Sequence, residues 1–300
     1  MSPLIVVVGE TASGKSALAL EIAKQFNGEL ICADSWTVYA GFDIGAAKPT
    51  TEERMLVPHH LLDVADPREG FSAVLFKELA QQSIVEITSK GRTPILVGGT
   101  GLYIDSVIYD YGFLDAPSPE LRAELNALSL DQLVDRAASA GFDMSDIDVR
   151  NKRRVIRLIE NNGLKPTKQE LRANTLILGL RTPREALQQR VVARVDAMLA
   201  AGLEAEVRSL AEQYGWDVEP MKGIDYREWR EYVLGTQSLK DTRERIIKST
   251  MDLAKRQRTW FKRNSSIHWL DDRSNAVEVI TTFLNKQPVG PERKSVTIEP

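Results

Sequence analysis

The first apolar run of the chain, Pro3–Val8 (PLIVVV), is continuous rather than alternating and rich in β-branched residues. That is the pattern of a strand buried on both faces of a parallel sheet. Lys15–Phe26 follows, with Ala17, Leu18, Leu20, Ile22 and Ala23 apolar as on a packed helix. Two further continuous runs recur: ELICADS, a strand ending at Asp34, and TPILVGGTG, which runs into glycines. A helical pattern over Ser72–Ser89 lies between them. Alternating strands and helices with glycine at strand ends predict a doubly wound parallel α/β sheet. Ligands of such sheets bind at the carboxyl ends of the strands. Residues 9–16, Asp34 and Gly98–Thr100 all fall there, so three separate stretches converge on one crevice.

The pattern changes near Asp115. Helical character runs to about Arg172, opened by the cap-like Ser118-Pro119-Glu120. Strand character returns over Asn174–Leu180. Helical patterns follow over Arg184–Ala200, Leu203–Tyr214, Tyr226–Leu234 and Leu239–Lys262, and then a last strand over Ser266–Leu270. The expected organisation is an α/β core of 1–114 and 174–285, a helical insertion at 115–173 and a disordered tail at 286–300. No internal repeat interrupts it.

Composition narrows the class. Three hundred residues, 43% hydrophobic and 27% charged, describe a globular chain able to bury a large core. The single cysteine, Cys32, rules out an internal disulfide and fits the cytoplasm. No apolar stretch approaches the ~20 residues of a membrane span, so no membrane partner is expected. A net charge of −3 argues against indiscriminate nucleic-acid binding but leaves room for local basic surfaces. There are two. Residues 150–172 hold eight basic residues and two acids, with Arg150, Arg153, Arg154 and Arg157 along one helical face and Val155, Ile156, Leu158 and Ile159 able to pack inward. Residues 243–263 again hold eight and two. Two patches, each of net charge +6, fit a polyanion larger than a nucleotide. Trp260 and Phe261 are placed either to stack on bases or to pack in a core. His59, His60 and His268 show no metal-ligand spacing, and no nucleophilic triad emerges.

The strongest local signal is G-x-x-x-x-G-K-S, made by Gly9, Gly14, Lys15 and Ser16 between a strand and a helix. Its glycines let backbone N–H groups turn toward phosphate oxygens, Lys15 adds a cation and Ser16 offers a hydroxyl to Mg²⁺. The motif does not specify which compound carries the phosphate. Asp34 faces this loop, suited to hold Mg²⁺ through water or to take a proton from an attacking group. Thr100 places a hydroxyl in the crevice. Lys48, in DIGAAKP, reads as a solvated charge.

With these residues in place, the chain resembles the bacterial tRNA dimethylallyltransferases, also called tRNA isopentenyltransferases. The resemblance runs from about Val6 to Leu270. It rests on TASGKS (11–16), DSWTVYAGFDIGAAKP (34–49), PHHLLDV (58–64), GRTPILVGGTGLY (91–103), AGLEAEV (201–207) and AKRQRTWF (254–261), in that order and spacing. It implies transfer of a dimethylallyl group from dimethylallyl diphosphate to the exocyclic amino nitrogen of adenosine 37, in tRNAs reading codons that begin with U. Under it, Gly9, Thr11, Ala12, Ser13, Gly14, Lys15 and Ser16 hold the diphosphate, with Mg²⁺ at Ser16. Asp34 accepts the proton of the attacking amine, and Thr100 and Lys15 complete the catalytic set. The implied tRNA contacts are Asp34, Ser35, Trp36, Thr37, Thr100, Arg122, Arg153, Arg154, Arg157, Lys222, Arg227, Thr250, Lys255, Arg256 and Gln257. A monomer enclosing one anticodon arm is expected.

Four positions depart from the family pattern. Glu10 replaces a proline, Ala46 a threonine, Asp225 a glycine and Met251 an arginine. The last two add a negative charge and remove a positive one where substrate is expected. An adenylate isopentenyltransferase, a small-molecule kinase and a tRNA-binding protein with impaired catalysis are the competing readings.

Overall fold

The computed structural model describes residues 1–114, 118–270 and 273–286. The expected boundary at 115 and, apart from Lys286, the expected tail lie outside the described residues. The strands are β1 (Leu4–Gly9), β2 (Gly28–Ala33), β3 (His59–His60), β4 (Thr93–Gly98), β5 (Thr175–Leu180) and β6 (Ile267–Leu270). They form one sheet of order β3-β2-β4-β1-β5-β6, and every pairing is parallel. β1 and β2 are buried along their whole length, as their unbroken apolar runs require. The β3 edge, missed in the sequence, is two residues long, too short to show any period.

The helices are α1 (Lys15–Gln25), α2 (Thr51–Leu56), α3 (Ala73–Ser89), α4 (Gly101–Ile108), α5 (Pro119–Ala127), α6 (Leu130–Ser139), α7 (Lys152–Glu160), α8 (Arg184–Ala200), α9 (Leu203–Tyr214), α10 (Arg230–Val233), α11 (Leu239–Phe261) and α12 (Ala276–Asn285). The described residues divide into two compact units, one within 1–108 and 172–286 and the other within 109–171. The first unit holds the sheet. Its core includes Ile5, Val7, Leu18, Ile22, Ile95 and Leu178, with Ile280 of α12. A further core joins Phe42, Val191, Val195, Val207, Tyr226, Trp229 and Ile246. The second unit has its own small core of Leu125, Leu133, Ala137, Val155, Ile156, Leu158 and Ile159 from α5, α6 and α7. Ser118 and Ser129 cap α5 and α6 by accepting from Leu121 N and Gln132 N.

The topology fixes where a ligand belongs. β1 connects leftward to β2 and β4 connects rightward to β5, so the crevice opens between adjacent β1 and β4. One helix expected in the sequence is replaced. Tyr226–Leu234 is a 3₁₀ turn at Arg227–Trp229 followed by the single turn of α10. Asp225 just before it has φ +75°, and its N–H is held by the Glu228 carboxylate at 3.1 Å. The buried Tyr226 and Trp229 side chains fix this tight course.

Candidate functional site

The loop after β1 turns sharply, with Ala12 at φ +60° and Gly14 at φ +89°. Gly14 is the N-cap of α1, so the first amides of that helix lack intrahelical partners and face the loop's concavity. The loop is braced from several elements. Thr11 N donates to Gln257 Oε1 at 2.7 Å, and Gln257 Nε2 donates to Gly99 O at 3.1 Å. Gln257, on α11, thus ties the β1 loop to the β4 turn through two backbone groups. Arg190 and Arg273 each donate to Ser13 O at 3.1 Å, and Arg194 donates to Thr11 Oγ1 at 3.4 Å.

Asp34 lies immediately beyond β2. Its Oδ1 accepts from Trp36 N at 2.9 Å, which fixes the carboxylate at the mouth of the crevice. Thr100 Oγ1 accepts from Ser35 N at 3.2 Å and donates to Ser35 Oγ at 3.4 Å. β2 and β4 approach so closely there that a side chain at Gly98 would collide with the Ala33 carbonyl. Lys15 Nζ donates to Glu10 O at 3.4 Å. Burial draws the Lys15 ammonium down to about 8, against opposing contributions from Asp34 and Glu10.

These groups line one cleft of about 760 Å³. Of the residues proposed in the sequence, Thr11, Ala12, Gly14, Lys15, Ser16, Asp34, Ser35, Trp36, Thr37, Thr100, Lys222, Arg227, Thr250, Arg256 and Gln257 border it. Gly9, Ser13 and Lys255 belong to the same unit but do not line the cleft. Arg122, Arg153, Arg154 and Arg157 lie in the second unit. There Arg153 and Arg154 are exposed, whereas Arg122 forks onto the Glu160 carboxylate, which Arg157 also contacts. The sequence reading missed Arg190 and Arg194, which border the cleft from α8. Their i, i+4 spacing around the buried Val191 was the available signal, but the basic content of that helix is ordinary. Lys48 is not solvated. Its ammonium meets Tyr39 O at 2.7 Å, Asp43 at 2.8 Å and Asp63, and its side chain is 2% exposed. Phe261 is core, while Trp260 borders the cleft with Nε1 donating to Asp105 at 3.1 Å.

The departures from the family pattern have visible surroundings. Glu10 accepts two hydrogen bonds from Arg258, at 2.6 and 2.8 Å, so its charge is met. Ala46 N donates to the Tyr226 hydroxyl at 3.1 Å. Met251 packs against the core around Trp229. Leu20, Leu30, Cys32, Val97 and Leu102 give the cleft an apolar side. Burial pushes the Cys32 thiol up to about 12, which keeps it an inert apolar group.

Among the described residues, no three His, Cys, Asp or Glu side chains cluster as a metal cage. Beside the phosphate loop the cleft offers the Ser16 hydroxyl at the start of α1 and the strand-end carboxylate of Asp34. That sparse oxygen set suits Mg²⁺, which keeps several waters and shares substrate phosphates.

A parallel sheet with a G-x-x-x-x-G-K-S loop after its central strand, opening on a partly apolar cleft, defines a phosphate-loop α/β protein. The chain belongs to the IPP transferase family, whose model matches residues 37–264. The tRNA dimethylallyltransferase of Anoxybacillus flavithermus is 42% identical over 279 residues, covering 89% of this chain and 90% of that protein. That of Staphylococcus epidermidis is 40% identical over 307 residues, covering 95% and 92%. Among solved structures, the tRNA delta(2)-isopentenylpyrophosphate transferase of Staphylococcus epidermidis is similar with a TM-score of 0.72 at 37% identity, covering 96% of this chain and 100% of that one. A eukaryotic dimethylallyltransferase acting on tRNA gives a TM-score of 0.79 at 26% identity, covering 98% and 82%. No helix among the described residues is long and apolar enough to cross a membrane.

Proposed function

We propose that the protein transfers a dimethylallyl group from dimethylallyl diphosphate to the exocyclic amino nitrogen of adenosine 37, in the anticodon arm of tRNAs reading codons that begin with U. The observation that carries this reading is the meeting, in one cleft, of a phosphate loop, a strand-end carboxylate and an apolar wall. An allylic diphosphate needs both the anion site and the apolar side. A nucleophilic amine needs the carboxylate.

In the reaction, the bond between the allylic carbon and the diphosphate oxygen breaks and its electron pair leaves with the diphosphate. The amino nitrogen forms the new bond to that carbon and gives up a proton. Loop amides, Lys15, Arg190 and Arg194 stabilise the negative charge growing on the leaving group. Asp34 takes the proton, which matters because the adenine amine is a weak nucleophile with its lone pair delocalised into the ring. Thr100, bonded to Ser35, fixes the strand ends about the reacting atoms. Ser16 and the diphosphate would hold Mg²⁺, which supplies further neutralisation of the leaving group. The acceptor base must leave its stack to enter the cleft. Arg153, Arg154, Arg256, Lys255, Lys222 and Arg227 supply the phosphate-contacting charge.

The test is nucleoside mass spectrometry after incubating the protein with dimethylallyl diphosphate, Mg²⁺ and unmodified tRNA. The expected product is an adenosine heavier by one five-carbon unit, absent with Asp34→Ala. ATP-dependent phosphoryl transfer without such a product would replace this reading with a kinase.

A further inference from the structure

Asp225 lines the cleft, is 8% exposed, and has a carboxyl oxygen, Oδ1, that is buried without a hydrogen-bond partner among the described residues. A buried acceptor left unmade is costly, and a non-glycine residue at φ +75° adds strain. The surroundings nonetheless hold it firmly. Gly223 is pressed against the Trp36 indole so closely that no side chain fits between them. Tyr226, the next residue, packs on Phe42 with ring centroids 4.9 Å apart, and its hydroxyl donates to Glu206 at 2.9 Å. Glu228 captures the Asp225 N–H and is itself paired with Arg227 at 2.9 Å. The backbone on either side of Asp225 is therefore held, and its carboxyl group turns only about its own side-chain bonds.

Such an oxygen is satisfied by a cation or by an N–H or O–H donor. Neither end of dimethylallyl diphosphate qualifies, since its phosphate oxygens accept and its five-carbon group has no donor. The acceptor nucleoside has two kinds of donor, an exocyclic amine and a ribose hydroxyl. Resting on the transferase reading above, we propose that Asp225 is a substrate-reading residue, whose free carboxyl oxygen accepts a hydrogen bond from the amine or ribose hydroxyl of the acceptor nucleotide. Burial, the largest cause, pushes this carboxyl up to about 7, with Glu228 adding to the rise and Arg194 and Arg227 opposing it. Near neutral pH both the ionised and the protonated forms are then present.

The experiment compares wild type, Asp225→Asn and Asp225→Gly by fluorescence anisotropy with an unmodified anticodon stem-loop RNA, and in parallel with inorganic pyrophosphate. Both variants tolerate a left-handed backbone. The expected result is RNA affinity lower by roughly tenfold or more for Asp225→Gly and by less for Asp225→Asn, which keeps one acceptor oxygen, with pyrophosphate affinity not reduced. Two altered RNAs identify the donor: one with a purine lacking the exocyclic amine at the acceptor position, one with 2′-deoxyadenosine there. The RNA on which wild type and Asp225→Gly bind equally names the missing group. Equal or tighter RNA binding by Asp225→Gly overturns the proposal and leaves a strained residue serving only the fold. A wild-type advantage that neither altered RNA removes overturns it too, since the carboxyl then acts indirectly. Prenyl transfer by wild type is scored separately. Its absence beside an intact affinity difference would sink the transferase reading and not this contact.

Discussion

The arginines of the cleft and those of α7 differ although they are the same residue type. Arg190 and Arg194 border the cleft and Arg273 stands behind its loop; Arg190 and Arg273 donate to Ser13 O and Arg194 to the Thr11 hydroxyl, so each is tied to the loop that shapes the candidate anion site. Arg153 and Arg154 stand exposed on the outer side of a helix whose inner side is apolar. The first set is held in place before any ligand arrives, and preorganised charge in a partly desolvated cleft acts strongly on a developing anion. The second set is solvated and screened, and suits a long polyanion whose phosphates are read collectively. Arg122 sides with neither, because its charge is committed to the Glu160 carboxylate, whose side chain is fully buried.

The sharpest way to break this contrast is at the cleft. Lys15→Ala and Asp34→Ala should each lower prenyl transfer by roughly 10²–10⁴-fold while the melting curve barely moves. A tenfold loss or less would mean that the chemistry is elsewhere. Next comes the brace. Gln257→Ala leaves the Thr11 amide and the Gly99 carbonyl without partners, and should cost about 2–4 kcal/mol in a denaturant melt, together with activity. Normal stability there would show that the two strand-end loops do not depend on it.

In the second unit, Arg122→Ala should destabilise by about 1–3 kcal/mol by stripping a partner from the buried Glu160. Arg153→Ala and Arg154→Ala should stay within about 0.5 kcal/mol of wild type yet weaken RNA binding, each flattening its salt dependence by about one unit of slope. Equal stability effects from all three would erase the distinction drawn here. The smallest effect concerns pH. Lys15 is charged below about 8 and neutral above it. Pyrophosphate affinity should therefore fall as pH rises through 8, by up to about tenfold at pH 9, relative to a Lys15→Arg variant that stays charged. Parallel profiles for the two proteins would place the titrating group elsewhere.

Much of the site could be read along the chain. Lys15 and Ser16 stand in a loop defined by local spacing, and Asp34 and Thr100 stand at strand ends that continuous apolar runs reveal. Arg190 and Arg194 could not be read that way, because only packing of α8 against the loop brings them to the cleft. Gln257 illustrates the reverse case. Its motif marked it as a contact for RNA, and the structure, which places it at the cleft, adds that it joins two backbone groups 158 and 246 residues away in sequence. The Tyr226–Leu234 helix failed because its apolar spacing said nothing of the left-handed turn at Asp225 or the carboxylate that holds it.

Sequence alone therefore determined most strands and long helices and marked the candidate phosphate loop, since hydrophobic period and a glycine-lysine loop are local properties written in neighbouring residues. Tertiary structure decided which charges are free and which are spent. Lys48, Arg122, Arg258 and Glu10 are all polar residues that a sequence would place in solvent, and each is held by a partner that folding brings beside it. A charge acquires its role from the field and the solvent access around it, and those exist only after the chain has folded.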